Sequence, residues 1–192
     1  MRIIAGTAKG RGLKGPKGEG LRPTSDRVRE TIFNILGQTC EGLVVLDCFA
    51  GTGALAFEAL SRGAARAVLL DNGREAQKLC LENATALGFA GKANFVFASF
   101  EARTILGLRT RGPFDLIFVD PPYAEVTPEQ ILKVLGPADL LQPGGRVVVE
   151  HDKRSEAPQE QDGFTLEDTR RFGDTSVSFY GRAANLTPPP SE

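Results

Sequence analysis

One short stretch constrains the fold of this chain more than any other. The apolar run LVVLD at 43–47 ends on an acid and leads, through a glycine-rich turn, into a helical stretch. The run does not alternate apolar with polar residues, as a strand with one wet face would. Further apolar runs, separated by stretches of helical periodicity, lie at 65–71, 94–98, 114–119 and 146–150. Strands and helices in this order are typical of a parallel sheet covered on both faces, so we expect an α/β fold.

The end of the predicted domain has a different pattern. FTLEDTRRFGDTSVSFY at 164–180 alternates by twos around Gly173 and Asp174, a signal for a β-hairpin. We therefore predict a mostly parallel, Rossmann-like sheet of seven strands that ends in an antiparallel hairpin.

A basic segment precedes the first strand. RIIAG and RGLKG could form two short strands, and SDRVRETIFNIL has an apolar helical face that Thr24 or Ser25 can cap. Residues 1–29 hold eight Lys and Arg and two acids, whereas the other residues carry a net charge of −7. Such a split favours a surface that faces nucleic acid, although a solvated basic segment is the alternative. We expect a small basic extension at 1–37, one main domain at 38–182 and a disordered tail at 183–192.

Composition excludes several classes of protein. No apolar run approaches the roughly 20 residues of a membrane span, and the N-terminus lacks an apolar stretch of signal-peptide length. Cys40, Cys48 and Cys80 have no CxxC spacing, so we expect buried thiols rather than disulfides or a metal site. His151, the single histidine, follows the predicted fifth strand without the GxSxG elbow of a serine hydrolase. These features indicate a cytoplasmic protein without metal or membrane association.

The turn DCFAGTGALA predicts a ligand with a nucleoside. Gly51, Gly53 and Ala56 match the G-x-G-x-x-A of a dinucleotide site. Asp71 ends the next strand with acceptors for ribose hydroxyls. Asp47 favours a different ligand, because its carboxylate would repel a pyrophosphate but attract an ammonium or a sulfonium. S-adenosylmethionine (SAM) carries both cations and a ribose, and Asp-x-x-x-Gly-x-Gly is common in class I methyltransferases, so we predict SAM as the cofactor.

The fourth strand ends in DPPY, which predicts a site for an amine. Asp120 follows the strand at the edge where open α/β sheets bind ligands. Pro121 and Pro122 fix the backbone and remove two N–H donors, so carbonyl acceptors remain. A carboxylate and a carbonyl can each accept one hydrogen of an –NH2 group, and Tyr123 can stack on a base.

These motifs together resemble a known family. DPPY resembles the [DNS]-P-P-[YFW] motif of amino methyltransferases, and the chain as a whole is similar to the RsmD family. The matching stretches are RIIAG with KGR, LRPTSDRVRETIFNIL at 21–36, LDCFAGTGALAFEALSRGA at 46–64 and FVDPPY at 118–123. The resemblance implies a class I methyltransferase fold and transfer of a methyl group from SAM to N2 of one guanine, position 966, in 16S ribosomal RNA.

The resemblance also implies roles for individual residues. Asp120, Pro121, Pro122 and Tyr123 would form the catalytic motif. The cofactor would contact Thr24, Asp47, Phe49, Gly51, Gly53, Asp71, Ser99 and Phe100. The RNA would contact Arg2, Lys9, Arg11, Lys14, Arg22 and Arg27. The expected partner is 16S ribosomal RNA within a 30S subunit or an assembly intermediate.

Three alternatives remain at this stage. An amino methyltransferase with a DPPY motif could act on another RNA or DNA base. A non-catalytic RNA-binding assembly factor could retain the fold, and an NAD-linked oxidoreductase would share the glycine turn. Binding of SAM and the identity of the methylated nucleoside separate these classes.

Overall fold

The computed structural model describes residues 1–16, 25–122 and 126–182 of the chain. Its strands are β1 (Val44–Cys48), β2 (Arg66–Asp71), β3 (Ala93–Phe97), β4 (Phe114–Val119), β5 (Leu141–Asp152), β6 (Glu160–Gln161), β7 (Phe164–Phe172) and β8 (Thr175–Arg182). Its α-helices are α1 (Asp26–Ile35), α2 (Ala54–Ser61), α3 (Arg74–Leu87), α4 (Ala102–Gly107) and α5 (Pro128–Leu135). The predicted tail at 183–192 and the stretch 17–24 lie outside the described residues.

The strands form one sheet of eight in the order β3-β2-β1-β4-β5-β8-β7-β6. β1 to β5 pair in parallel, whereas β8 and β7 add an antiparallel hairpin next to β5. This confirms the predicted α/β sheet. The strand beyond the predicted seven is β6, which pairs two residues with β7 at the edge. The chain order reverses between β1 and β4, which is where open α/β sheets form their ligand crevice.

Each face of the sheet carries its own hydrophobic core. On one face, Phe33 of α1 and Phe57 of α2 are fully buried in a cluster with Phe118 of β4. On the other face, Ile105 of α4 and Ile131 of α5 pack in a cluster that includes alternate strand residues such as Leu46, Ile117 and Val147. Burial on both faces explains why β1 and β4 are apolar without alternation.

Local signals in the sequence account for several helix ends. Thr127 and Gln130 form a complete capping box at the start of α5, with Pro128 at its first position. Gly88 ends α3 in the left-handed conformation, as the position of this glycine predicts.

The strand β5 extends through Asp152, so the expectation that His151 follows the strand is wrong. His151 pairs with Ser176 inside the sheet and is buried.

The N-terminal segment folds back on itself and packs against α2. The predicted short strands pair antiparallel over a few residues, with a bridge between Arg2 and Gly12 and backbone hydrogen bonds from the N–H of Ile3 to the carbonyl of Arg11 at 2.9 Å and from that of Leu13 to the carbonyl of Met1 at 3.1 Å. Glu58 of α2 is fully buried, and its two carboxylate oxygens accept hydrogen bonds from the backbone N–H groups of Ile4 at 2.8 Å and Ala5 at 3.0 Å. Ser61 accepts another from Ala8 at 2.9 Å. Two side chains on one face of α2 therefore fix the path of this segment.

Candidate active site

Three carboxylates converge at the carboxyl edge of the sheet. Asp47 lies in β1, Asp71 ends the neighbouring β2, and Asp120 follows β4 on the other side of β1. Burial raises the pKa of Asp47 well above its usual range, and the charges of Asp120 and Asp71 raise it further. A hydrogen bond from the backbone N–H of Ala56 acts in the opposite direction. The anionic edge therefore favours a cationic ligand over a phosphate.

The glycine turn is built around two of these acids. The N–H of Gly51 donates to Asp71 Oδ2 at 2.9 Å, and the N–H of Gly73 donates to Oδ1 of the same carboxylate at 2.7 Å. Asp47 Oδ2 accepts from Ala56 in the first turn of α2 at 3.0 Å. Gly53 has φ of 77°, and a Cβ there would lie 2.3 Å from the ring of Phe57. The turn therefore needs glycine at position 53.

Helix α3 supports the turn from behind. The thiol of Cys80 lies 3.2 Å from the carbonyl oxygen of Gly51, and Asn83 Nδ2 donates to that of Thr52 at 3.0 Å. Asn83 also binds both backbone groups of Lys14, with Oδ1 accepting from the N–H at 2.8 Å and Nδ2 donating to the carbonyl at 3.0 Å. One buried amide thus joins the N-terminal segment to the glycine turn.

Two residues that the resemblance assigns to the cofactor site bring their aromatic rings together. Phe49 has φ of 61°, and its ring centroid lies 5.1 Å from that of Phe100 at an interplanar angle of 38°. Ser99 is exposed, and its hydroxyl accepts a hydrogen bond from Asn72 Nδ2 at 3.2 Å. Asn72 follows β2, and Ser99 and Phe100 follow β3, so these residues lie on the same edge of the sheet as the three acids.

The DPPY motif borders a cleft on the side of β4 that faces away from the glycine turn. Asp120 is half-buried, Pro121 is buried and Pro122 is exposed, whereas Tyr123 lies outside the described residues. Asp120, Pro121 and Pro122 line a small cleft that is partly open to solvent. The end of β5 and the start of α5 form the rest of its wall. The cleft therefore adjoins the predicted catalytic motif directly.

Comparison with known proteins identifies the group to which this site belongs. A family model described as Conserved hypothetical protein 95 matches residues 1–181. The ribosomal RNA small subunit methyltransferase D of Escherichia coli K12 is 36% identical over 185 residues, which cover 96% of this chain and 91% of that protein. The chain belongs to the RsmD family.

Solved structures agree with this membership. The Escherichia coli protein yhhF is 36% identical, with a TM-score of 0.79 over 96% of this chain and 98% of that one. A protein from Thermus thermophilus is 28% identical, with the same TM-score of 0.79 over 95% of this chain and 99% of that one. As a member of the RsmD family, the chain is a methyltransferase, and the family implies a methyl-donor cofactor.

The basic residues predicted from the RsmD resemblance lie in different environments. Arg2, Lys9 and Arg27 are exposed. Arg11 donates to carbonyl oxygens at the end of α3, and Lys14 forms a 3.1 Å ion pair with Glu82, so both also contact the protein. Arg22 and Thr24 lie outside the described residues.

Several residues of this RsmD-family site have no motif to identify them. Asn83 and Cys80 come together with the glycine turn only through the packing of α3. Glu150 lines the cleft beside Asp120, and here a signal exists, because an acid near the end of a buried strand also marks Asp47 and Asp71. Within the described part of the chain, no set of three potential metal ligands comes together and no helix is long and apolar enough to cross a membrane.

Proposed function

We propose that this protein transfers a methyl group from SAM to the exocyclic N2 amine of a guanine in 16S ribosomal RNA. The observation that carries the proposal is the position of Asp120, which directly follows β4, with the glycine turn on one side and the cleft on the other. The Escherichia coli relative, named for the small-subunit ribosomal RNA, supports the class of substrate.

The anionic edge fits SAM. Burial is the largest cause of the raised pKa of Asp47, and the charges of Asp120 and Asp71 add to the electrostatic cost of negative charge there. The ammonium and sulfonium groups of SAM would offset that cost, and the sulfonium supplies an activated methyl group. Asp47 and the turn at Gly51 and Gly53 would hold the methionine part, while Asp71 would accept from the ribose hydroxyls. Phe49, Ser99 and Phe100 would border the adenine.

The DPPY motif would orient the amine. An amine conjugated to a base is a weak nucleophile, because its lone pair is delocalised into the ring. The carboxylate of Asp120 and the carbonyl of Pro121 can each accept one of its hydrogens and so turn the lone pair toward the methyl donor. Asp120 also stabilises the positive charge that develops on nitrogen as the bond forms. Tyr123 would stack on the base, and Thr24 would close over the cofactor.

The substrate reaches this site as an unstacked base. Extrusion of a paired base costs a few kcal/mol, which contacts in the cleft must offset. Arg2, Lys9, Arg11, Lys14, Arg22 and Arg27 would hold the RNA backbone, because phosphate contacts by Lys and Arg dominate nucleic-acid affinity. We expect the substrate to be 16S ribosomal RNA in a 30S subunit or assembly intermediate, so the enzyme would work in the cytoplasm.

The test is to identify the methylated nucleoside. Wild-type protein is incubated with labelled SAM and unmodified 30S subunits, naked ribosomal RNA or duplex DNA, and the product is hydrolysed to nucleosides. N2-methylguanosine from the RNA supports the proposal. N6-methyladenine would replace it with an amino methyltransferase of different specificity, and the absence of any methylated product would favour a non-catalytic RNA-binding protein.

A single substitution then tests the role of Asp120. Asp120→Ala should lower methyl transfer by at least about 100-fold, since both orientation of the amine and charge stabilisation are lost. Calorimetric titration should still detect SAM binding. Asp168→Ala, which removes a carboxylate from the distant strand β7, is the matched control and should retain activity. Wild-type turnover in Asp120→Ala would refute the mechanism.

A further inference from the structure

We propose that Glu150 accepts the N1–H of the target guanine and makes the site selective for guanine over other bases that carry an amine. This inference rests on the proposed function and adds a residue that determines the specificity of the same site. No motif in the sequence singles out Glu150. Its position beside Asp120 follows from the register of two parallel strands.

Glu150 and Asp120 occupy matching positions on neighbouring strands. Val119, the last residue of β4, pairs with Val149 of β5. Asp120 directly follows Val119, and Glu150 directly follows Val149. Neighbouring strands lie about 4.8 Å apart, and side chains at matching positions leave the sheet on the same face. The two carboxylates therefore stand side by side at the carboxyl edge.

Both acids line the same cleft. Its wall includes Asp120, Pro121, Pro122, Thr127, Glu150 and His151. Glu150 is only 8% exposed, so a hydrogen bond to its carboxylate would be well shielded from water.

Other polar residues of this strand fit the role less well. His151 also borders the cleft, but its ring turns to the opposite side of the sheet, where its Nε2 lies 2.9 Å from the hydroxyl of Ser178. Asp152 lies two residues beyond Glu150, farther along β5 from the pair of Val119 and Val149. Glu150 is the acid on β5 that directly follows this pair, as Asp120 directly follows Val119.

The order of the strands gives the direction in which the base would lie. β1 and its glycine turn flank β4 on one side, and β5 flanks it on the other. With the amine held at Asp120 and the methyl donor over β1, the ring must extend toward β5. The amine-bearing carbon of guanine, C2, lies between N1 and N3, and of these two ring atoms only N1 carries a hydrogen. The orientation that gives the Glu150 carboxylate a donor is therefore the one with N1 toward β5, since N3 would face it with a lone pair.

The chemistry of the base edge explains why a carboxylate here selects guanine. Guanine presents N1–H and the N2 amine as adjacent donors, and two adjacent carboxylates match this pair. Adenine and 2-aminopurine present an unprotonated N1 next to their amines. That lone pair would face the Glu150 carboxylate, and a site built to accept an N–H discriminates strongly against a base that lacks it.

The experiment compares guanine with 2-aminopurine at the target position. The 2-aminopurine base keeps the reacting N2 amine but has no hydrogen on N1. Wild-type protein is assayed with each version of the ribosomal RNA substrate, as a fragment or a reconstituted 30S particle, whichever it methylates. The formation of N2-methylguanosine tests the proposed function, and the ratio of kcat/KM for guanine to that for 2-aminopurine tests the role of Glu150.

The wild-type protein should prefer guanine by at least about tenfold, because one buried donor–acceptor pair distinguishes the two bases. Glu150→Gln should reduce this ratio by at least about tenfold, since its amide can donate to the unprotonated N1 of 2-aminopurine. Glu156→Gln removes an exposed glutamate nearby and should leave the ratio unchanged.

Two results would overturn the inference without affecting the proposed function. The first is that wild-type protein methylates both bases with equal efficiency. This result requires no variant, so it cannot be attributed to misfolding. The second is that the Glu150→Gln variant binds SAM normally and keeps the wild-type ratio of kcat/KM for guanine to that for 2-aminopurine. If no substrate yields N2-methylguanosine, the proposed function fails, and the role of Glu150 fails with it.

Discussion

The buried carboxylate of Glu58 should contribute a large part of the stability of the N-terminal segment. Its side chain is fully buried, as is nearly all of that of Arg62, whose Nε donates to Oε1 at 2.8 Å. The same carboxylate accepts the N–H groups of Ile4 and Ala5. Substitution by Gln keeps the shape but removes the charge, and it places an amide donor against at least one of these donors.

The expected cost follows from these contacts. A hydrogen bond to a charged group contributes about 1.5 to 3 kcal/mol, and removal of one partner of a buried ion pair costs about 3 to 5 kcal/mol. The contacts share one carboxylate and do not add, so Glu58→Gln should lose about 3 to 5 kcal/mol. For a chain of 150 to 250 residues this corresponds to a fall in Tm of roughly 6 to 20 °C.

The assay is urea denaturation followed by circular dichroism, because the chain has no tryptophan. Limited digestion with trypsin provides a local measurement, since release of the segment should speed cleavage after Lys9 and Arg11. Glu30→Gln, at an exposed position of α1, is the control and should remain near wild type. A loss below about 1 kcal/mol for Glu58→Gln, with unchanged cleavage, would refute this account of how the segment is held.

Two further predictions concern other parts of the structure. Gly6 and Gly10 have nearly equal φ of 81° and 80°, but a Cβ at Gly6 would lie 1.8 Å from the carbonyl oxygen of Ser61, whereas one at Gly10 meets nothing within 4 Å. Thermal denaturation should show that Gly10→Ala lowers the free energy of unfolding by about 1 to 2 kcal/mol, and that Gly6→Ala lowers it by about 1 to 3 kcal/mol more. Equal losses for the two variants would contradict the close contact of the N-terminal segment with α2. Burial lowers the pKa of His151 from 6.5, so the unfolded chain takes up a proton first. Stability should be complete above about pH 6.5 and fall as the pH drops toward the folded pKa, and His151→Asn should remove this slope between pH 8 and 5.

The sequence could predict the sheet because its signals are local. Each of these signals determines the structure of residues only a few positions away. Examples are the apolar run LVVLD, the glycine turn at Gly51 and Gly53, and the capping box at Thr127. The same is true of the acids near the ends of β1, β2 and β4, which identify the edge that carries the candidate site. Physical rules about caps, glycines and strand burial suffice for such features.

Other features depend on contacts between distant parts of the chain. Glu58 binds backbone groups more than 50 residues earlier, and Asn83 joins Lys14 to Thr52. Neither residue belongs to a recognisable motif, because its role is set by which helix packs against which segment. Glu150 lies between these cases. The sequence shows an acid at the end of the predicted fifth strand, but only the pairing of Val119 with Val149 shows that this acid lies near Asp120.

The anchoring of the N-terminal segment has a consequence for synthesis on the ribosome. Residues 1–16 leave the exit tunnel before α2 and α3, yet Ile3 is fully buried and its neighbours bind Glu58, Ser61, Asn83 and the end of α3. A nascent chain cannot complete these contacts until α3 has also emerged. This segment should therefore settle after helices that are translated later, and its basic side chains take their final positions only on chains that have already built α2 and α3.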